Sequence, residues 1–251
     1  MVTLVNLLRN NERFMKYFFT VIVVLIISTN SFSQTQKYFD APFGGGGGFI
    51  PAWYIPNVDP LNLKLQEVGF PELSKSGLFT TGGAGFIYIG FVKNLRIGGM
   101  GFGGSMSSSV SKLGTNYEAI YSIGGGGLTV EYTLPFIKNI GVSLGAIVGG
   151  GSIIIETFQN NTGFTWDKLY ESTSENSFTR LTNNYWLFTP TINIDIPVYR
   201  FIAVRIGAGY QFTIGNSWDA NNNQTISGVP GDLNGNAFFI QTGIFAGFFS
   251  F

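Results

Sequence analysis

Long stretches of this chain alternate, residue by residue, between apolar and small or polar side chains. In 201–214, Ile202, Val204, Ile206, Ala208, Tyr210, Phe212 and Ile214 share one face, while Ala203, Arg205, Gly207, Gly209, Gln211 and Thr213 share the other. In 186–198, Trp186, Phe188, Pro190, Ile192, Ile194, Ile196 and Val198 oppose Thr189, Thr191, Asn193 and Asp195. In 140–154, Ile140, Val142, Leu144, Ala146 and Val148 oppose Gly141, Ser143, Gly145 and Gly149. A two-residue period puts successive side chains on opposite faces of a strand. Such a run exceeds the ~5–6 residues common in soluble strands and suits a transmembrane strand of about 9–11. A soluble sandwich also alternates, but its outer face carries Lys and Glu. Here the second face is Gly, Thr, Ser and Asn, and charged residues are only 11% of the chain, against about 25% in soluble domains.

Composition removes whole classes of chemistry. The chain has no His and no Cys, which excludes disulfides, thiolate or imidazole metal sites and any histidine-activated nucleophile. Lys and Arg number 14 against 14 Asp and Glu, with no basic run, so no nucleic-acid partner is expected. Glu171 and Glu175 remain as a carboxylate pair, and nothing positions them. The Gly44–Gly48, Gly99–Gly104 and Gly124–Gly127 stretches lack the Lys-Ser/Thr of a phosphate loop. They read as small residues where strands bend or a lumen narrows. Asp232, Asn234 and Asn236 alternate as calcium ligands do, but the glycine is misplaced and no Glu closes the loop. No cofactor and no enzyme activity are expected.

Residues 1–33 read as an export leader. Met15-Lys16 gives a positive start, 17–27 a short apolar stretch, and Ser31-Phe32-Ser33 a cleavage site; Met15 is an alternative start. The stretch is shorter than the about 20 residues of a membrane-spanning helix, and no later window is apolar for about 18 residues. Residues 34–42 then form a short periplasmic segment and 43–251 the main domain.

Strands are expected at 43–54, 78–92, 94–109, 116–134, 139–158, 180–198, 200–215 and 237–251. Connections near Lys93, at 135–138 and at Tyr199 are tight, whereas 55–77, 110–115, 159–179 and 216–236 read as mostly long and polar. Alternation of short and long connections is the asymmetry of an outer-membrane barrel. The fold class is therefore all-β: an eight-stranded antiparallel up-and-down transmembrane barrel with one short helix in the first extracellular connection. That helix falls at 59–69, with Asp59 as N-cap, Pro60 in the first turn and Gly69 ending it. Leu61, Leu65 and Val68 make its apolar stripe, which either plugs the mouth or lies on the rim.

The chain ends in Phe251, with Phe249, Gly247, Phe245 and Gly243 on the same face. This ending resembles the C-terminal signal of bacterial outer-membrane proteins, and the strand-and-loop pattern over 43–251 resembles the small eight-stranded class of OmpX-like and OmpA-transmembrane-like barrels. The resemblance implies the barrel-assembly machinery as a partner during biogenesis, and outer-membrane lipid and lipopolysaccharide as surroundings. Aromatic girdles are expected from Trp53, Tyr54, Trp186 and Phe212 at one rim and Tyr132, Phe136, Tyr199, Phe249 and Phe251 at the other.

Four charges belong inside, near the periplasmic end: Arg96, Glu131, Asp195 and Arg205. Pairing about Tyr199 puts Ala203 opposite Asp195 and leaves Arg205 diagonal to it. The four read either as a closed internal strut or as an ion constriction. The function expected is a non-enzymatic outer-membrane barrel with a structural or surface-binding role through 159–179 (Trp166, Tyr170) and 216–236 (Trp218). The alternative is a narrow passive channel for ions or small solutes.

Overall fold

The computed structural model describes residues 44–135, 137, 140–161, 176–215 and 217–248. The expected leader and periplasmic segment lie outside the described residues, as do Phe136, Trp166, Tyr170, Glu171, Glu175, Phe249 and Phe251. The described chain is an antiparallel sheet with one helix. Its strands are β1 (Gly45–Phe49), β2 (Ala52–Pro56), β3 (Leu78–Tyr88), β4 (Leu95–Lys112), β5 (Thr115–Thr133), β6 (Gly141–Asn161), β7 (Ser177–Tyr199), β8 (Ile202–Ile214), β9 (Trp218–Ala220), β10 (Gln224–Ile226) and β11 (Ala237–Phe248); the helix is α1 (Asp59–Glu67).

The expected first strand is two pieces. Pro51 has no N–H to give a ladder, and β1 stops before it while β2 starts after it. Partners on both sides bridge the gap: Ile50 N–H donates to Gly82 O at 2.8 Å and Thr242 N–H to Pro51 O at 2.9 Å. β1 and β2 both pair with β3 on one side and β11 on the other. β3 through β8 pair in chain order, and β11 pairs with β8.

Three of the central strands, β4, β6 and β7, are longer than expected, and β5 has its expected length. β4 to β7 run 18, 19, 21 and 23 residues, against 11 for β3, 13 for β8 and 12 for β11. They overrun their shorter neighbours on the side of α1. The connection expected over 110–115 is in consequence a two-residue turn, Leu113-Gly114, with φ of +50° and +83°. Positive φ at both central residues is what a type I′ hairpin needs. The long 216–236 connection contains its own hairpin, β9–β10, whose β9 pairs with β7.

The sheet hides its polar face. Along β7, Leu187, Thr189, Thr191, Asn193 and Asp195 are buried, while Trp186, Phe188, Ile192 and Ile194 are exposed. β8 buries Ala203, Arg205 and Gln211 and exposes Ile202, Tyr210, Phe212 and Ile214. β11 buries Gln241 and exposes Phe238, Ile240, Ile244 and Phe248. Water-soluble sheets pack the apolar face inward. No described helix is long and apolar enough to cross a membrane.

The interior has two tiers. Toward the β3–β4 and β7–β8 turns it is polar and charged, with Arg96, Glu131, Asp195 and Arg205 buried. Toward α1 it is apolar: Tyr54 stacks between Phe102 and Phe239 at ring distances of 4.8 and 4.7 Å. Tyr121, Ile123, Ile153, Ile155 and Leu187 fill the same level, and Leu61 and Leu65 of α1 cap it. Tyr54 is thus a core residue and not part of an interfacial girdle. It follows Trp53 directly, and adjacent strand residues cannot share a face. Trp53, Trp186 and Phe212 at one rim, and Tyr132 and Tyr199 at the other, do face outward.

Candidate functional site

Period and register bring the four interior charges together. β4–β5 pairing sets Arg96 opposite Glu131, and β7–β8 pairing sets Asp195 opposite Arg205. The second pairing differs from the expected diagonal. The turn centres on 200–201, with Tyr199 paired to Ile202, and the register shifts between Pro197 and Tyr199. The displaced turn centre and that one-residue shift together put Arg205, in place of Ala203, directly across from Asp195.

All four side chains are buried. Arg205 Nε donates to Asp195 Oδ1 at 2.7 Å and its Nη2 to Oδ2 at 3.0 Å. Its Nη1 and Nη2 also reach Glu131 Oε1 and Oε2 at 3.1 and 3.3 Å. Arg96 Nη2 lies 2.7 Å from Asp195 Oδ2, and Arg96 Nε 2.5 Å from Glu131 Oε2. The latter is a charge contact without hydrogen-bond geometry. Each base touches both acids, so the four charges close on themselves. Arg96 Nη2 donates to Ser143 Oγ at 2.8 Å, Asn193 Nδ2 to Glu131 Oε1 at 2.9 Å, and Gln241 Nε2 to Asn193 Oδ1 at 2.7 Å. Arg96 sits 4.8 Å over the Phe86 ring and Arg205 4.5 Å over Phe245. Both guanidiniums thus pack against aromatic rings.

Glycine makes the room. A Cβ at Gly145 would meet Glu131 Cγ at 2.7 Å, and one at Gly207 would strike the Asn193 amide oxygen. Beside the cluster a cavity of about 10 Å³ is walled by Thr129, Glu131, Thr191, Asn193, Arg205 and Gln241, space for about one water. Asn193, Ser143 and Gln241 were not singled out from sequence. Their inward parity on polar strand faces was the available signal.

At the other end, α1 places Leu61 and Leu65 in the core, but Val68 is 53% exposed. The helix stops at Glu67, and Gly69 turns at φ +83°. Val68 therefore leaves the stripe, and Val58 and Asn62 complete the buried face. Asn62 is a polar clamp: its Nδ2 donates to Leu73 O at 3.0 Å, and Leu73 N–H donates to its Oδ1 at 2.8 Å. Asp59 is the first helical residue and not the N-cap, a position held by Val58. Asp59 instead lies 2.6 Å from Lys75, and this hydrogen-bonded carboxylate raises the lysine pKa above its usual value. Lys112 Nζ donates to Gly69 O at 2.8 Å, and Phe70 packs edge-on against Tyr117. Those contacts fasten the connection to the overrunning β4–β5 hairpin.

Of the C-terminal pattern, Gly243, Phe245 and Gly247 face inward, with Phe245 paired to Gly48 and Gly247 to Gly46. Asn234 and Asn236, weighed as calcium ligands, brace a turn: Asn236 N–H donates to Asn234 Oδ1 at 2.9 Å, and Thr213 N–H to Asn236 Oδ1 at 2.7 Å. Among the described residues no group of three or more Asp or Glu is placed to hold a metal ion.

A sheet with an apolar exterior and buried charge is the wall of a transmembrane β-barrel. Among solved structures, the chain is similar to Neisserial surface protein A (10% identity, TM-score 0.39, covering 82% of this chain and 97% of that one). It is similar to Ail, the attachment invasion locus protein of Yersinia pestis (10%, TM-score 0.40, 82% and 97%). It is also similar to a major outer membrane protein from Thermus thermophilus (10%, TM-score 0.48, 82% and 99%). No family model and no curated protein matches the chain.

Proposed function

We propose that this chain is a closed, eight-stranded barrel of a bacterial outer membrane, non-enzymatic, with a filled lumen that does not conduct. β1 and β2 count as one interrupted strand, and β9–β10 as a hairpin within a connection. The circuit that returns from β11 to β1 and β2 supports closure. The observation that carries the non-conducting reading is the double occlusion. Arg96, Glu131, Asp195 and Arg205 close one level, and Tyr54, Phe102, Phe239 and α1 fill the other. The four charges act as a strut across the lumen, since each touches two opposite charges and none is left to draw an ion through. The role is structural or surface-binding and belongs to the end carrying α1, the overrunning hairpins and 215–236. Outer-membrane lipid, lipopolysaccharide and, during biogenesis, the barrel-assembly machinery are its partners, after export on a cleaved leader at 1–33.

Planar-bilayer recording of the refolded full chain tests this reading. No step of defined size is expected. A reproducible unitary conductance would establish the narrow-channel alternative instead. Heat-modifiable migration on a gel after outer-membrane fractionation tests the barrel itself.

A further inference from the structure

Gly45, on the outward face of β1, is confined by Phe86 O, which a Cβ would meet at 2.8 Å. Six further glycines, Gly47, Gly83, Gly85, Gly99, Gly101 and Gly103, share the outward face of β1, β3 and β4 with the exposed Phe49, Ile87 and Ile97. They stand side by side in register: Gly47 beside Gly85, Gly85 beside Gly99, Gly83 beside Gly101. Nothing within the protein requires glycine at these positions. A Cβ on each would find only a carbonyl oxygen at 3.5–3.8 Å, an ordinary contact, and none has a positive φ. Their inward neighbours differ, since a Cβ at Gly48, Gly82, Gly98 or Gly104 would collide with backbone. Glycine weakens a strand and marks places where another molecule comes close to the backbone. Outward positions on a membrane-facing wall otherwise carry apolar side chains.

Next to this bare surface the wall has an open groove of about 350 Å³, lined on its outer side by Gly85, Ile87, Ile97, Leu128 and Val130. At a water's share of about 30 Å³ this is room for roughly a dozen methylene-sized groups. The β3–β4 connection lies at one end. It carries the exposed Lys93 and no acid, and its Phe91 is 90% exposed. An apolar trough with a cation on the turn beyond its end matches an acyl chain joined to a phosphate.

We propose that this groove holds one acyl chain of an anionic glycerophospholipid whose phosphate is held near Lys93. The proposal rests on the membrane-spanning reading above. The full chain, delipidated in mild non-ionic detergent and titrated with phosphatidylglycerol, is read by native mass spectrometry. One saturable lipid is expected. Gly85→Leu and Gly99→Leu should weaken it at least about tenfold, or ~1.4 kcal/mol. Lys93→Gln should weaken it about fivefold, as for one lysine at an anionic lipid surface, and should have no effect on zwitterionic phosphatidylcholine. Gly150→Leu, outward on β6 and away from the groove, is the control, since its Cβ would meet only Tyr185 O at 3.6 Å. Leu128→Trp obstructs the groove from a residue already exposed and serves if a glycine variant does not fold. Heat-modifiable migration of every variant separates a failed barrel from a failed site. Unsaturable binding, wild-type affinity in the folded groove variants, or dimers in place of the lipid adduct would overturn the proposal.

Discussion

Asp195 is held by two cations at once, Arg96 at 2.7 Å and Arg205 at 2.7 Å, inside a wall with little water to screen them. Removing one charge leaves its partners buried and uncompensated. Asp195→Asn or Arg205→Gln should each lower stability by roughly 3–5 kcal/mol, the range for one broken partner of a buried pair. Removing both should cost less than the sum, because the pair is desolvated together. Urea unfolding in lipid vesicles over the double-mutant cycle checks this, and additivity within about 0.5 kcal/mol would show the two groups to be solvated separately. The inward placement of these residues was legible in sequence because side-chain parity is a local property of a strand. Which acid meets which base was not, because it depends on where the β7–β8 turn centres and on the irregularity at Pro197–Tyr199.

α1 is too short to persist alone, and what holds it is Leu61 and Leu65 in the core and the Asn62 clamp on Leu73. Asn62→Ala leaves a buried N–H and C=O of Leu73 without partners, at about 1–3 kcal/mol for an unsatisfied group. Leu65→Ala opens a cavity worth roughly 2–5 kcal/mol. The energy falls on the connection and not on the sheet ladders. Limited trypsin digestion should therefore cut at Lys64 or Lys75 faster in both variants, with gel migration of the folded barrel unchanged. Equal cleavage rates in variant and wild type would show that neither contact seats the helix. Val68 left the expected stripe because helical spacing assumes the helix continues, whereas the helix ends at Glu67, one residue before Val68.

Across the whole molecule, occlusion at two levels means that opening one is insufficient. Replacing 58–76 by a short Gly/Ser linker should leave bilayers silent while the charged level stays intact. Combining that deletion with Arg96→Ala and Glu131→Ala, and with Tyr54→Ala and Phe239→Ala to open the aromatic stack that the deletion leaves in place, should give measurable steps. Conductance from the deletion alone would mean that the charged level passes ions. Assembly belongs to the same scale. Phe251→Ala should lower the yield of folded, protease-resistant protein, since the terminal aromatic resembles the recognised signal; undiminished yield would count against that role.

The alternation of 140–154, 186–198 and 201–214 determined by itself that this chain forms long strands with an apolar outer face and a polar inner one. A period of two needs no partner to define it. The lack of His and Cys likewise removed most catalytic and metal chemistry before any folding. Tertiary structure decided what pairing decides. The β4–β5 hairpin runs to Lys112 and Thr115 because each strand supplies the other's hydrogen bonds past the end of β3. Tyr54 lies between Phe102 and Phe239 because three separate strands meet there. The four charges form one cluster because two independent registers bring two pairs to the same level. Register is a relation between segments distant in sequence, so no single segment encodes it.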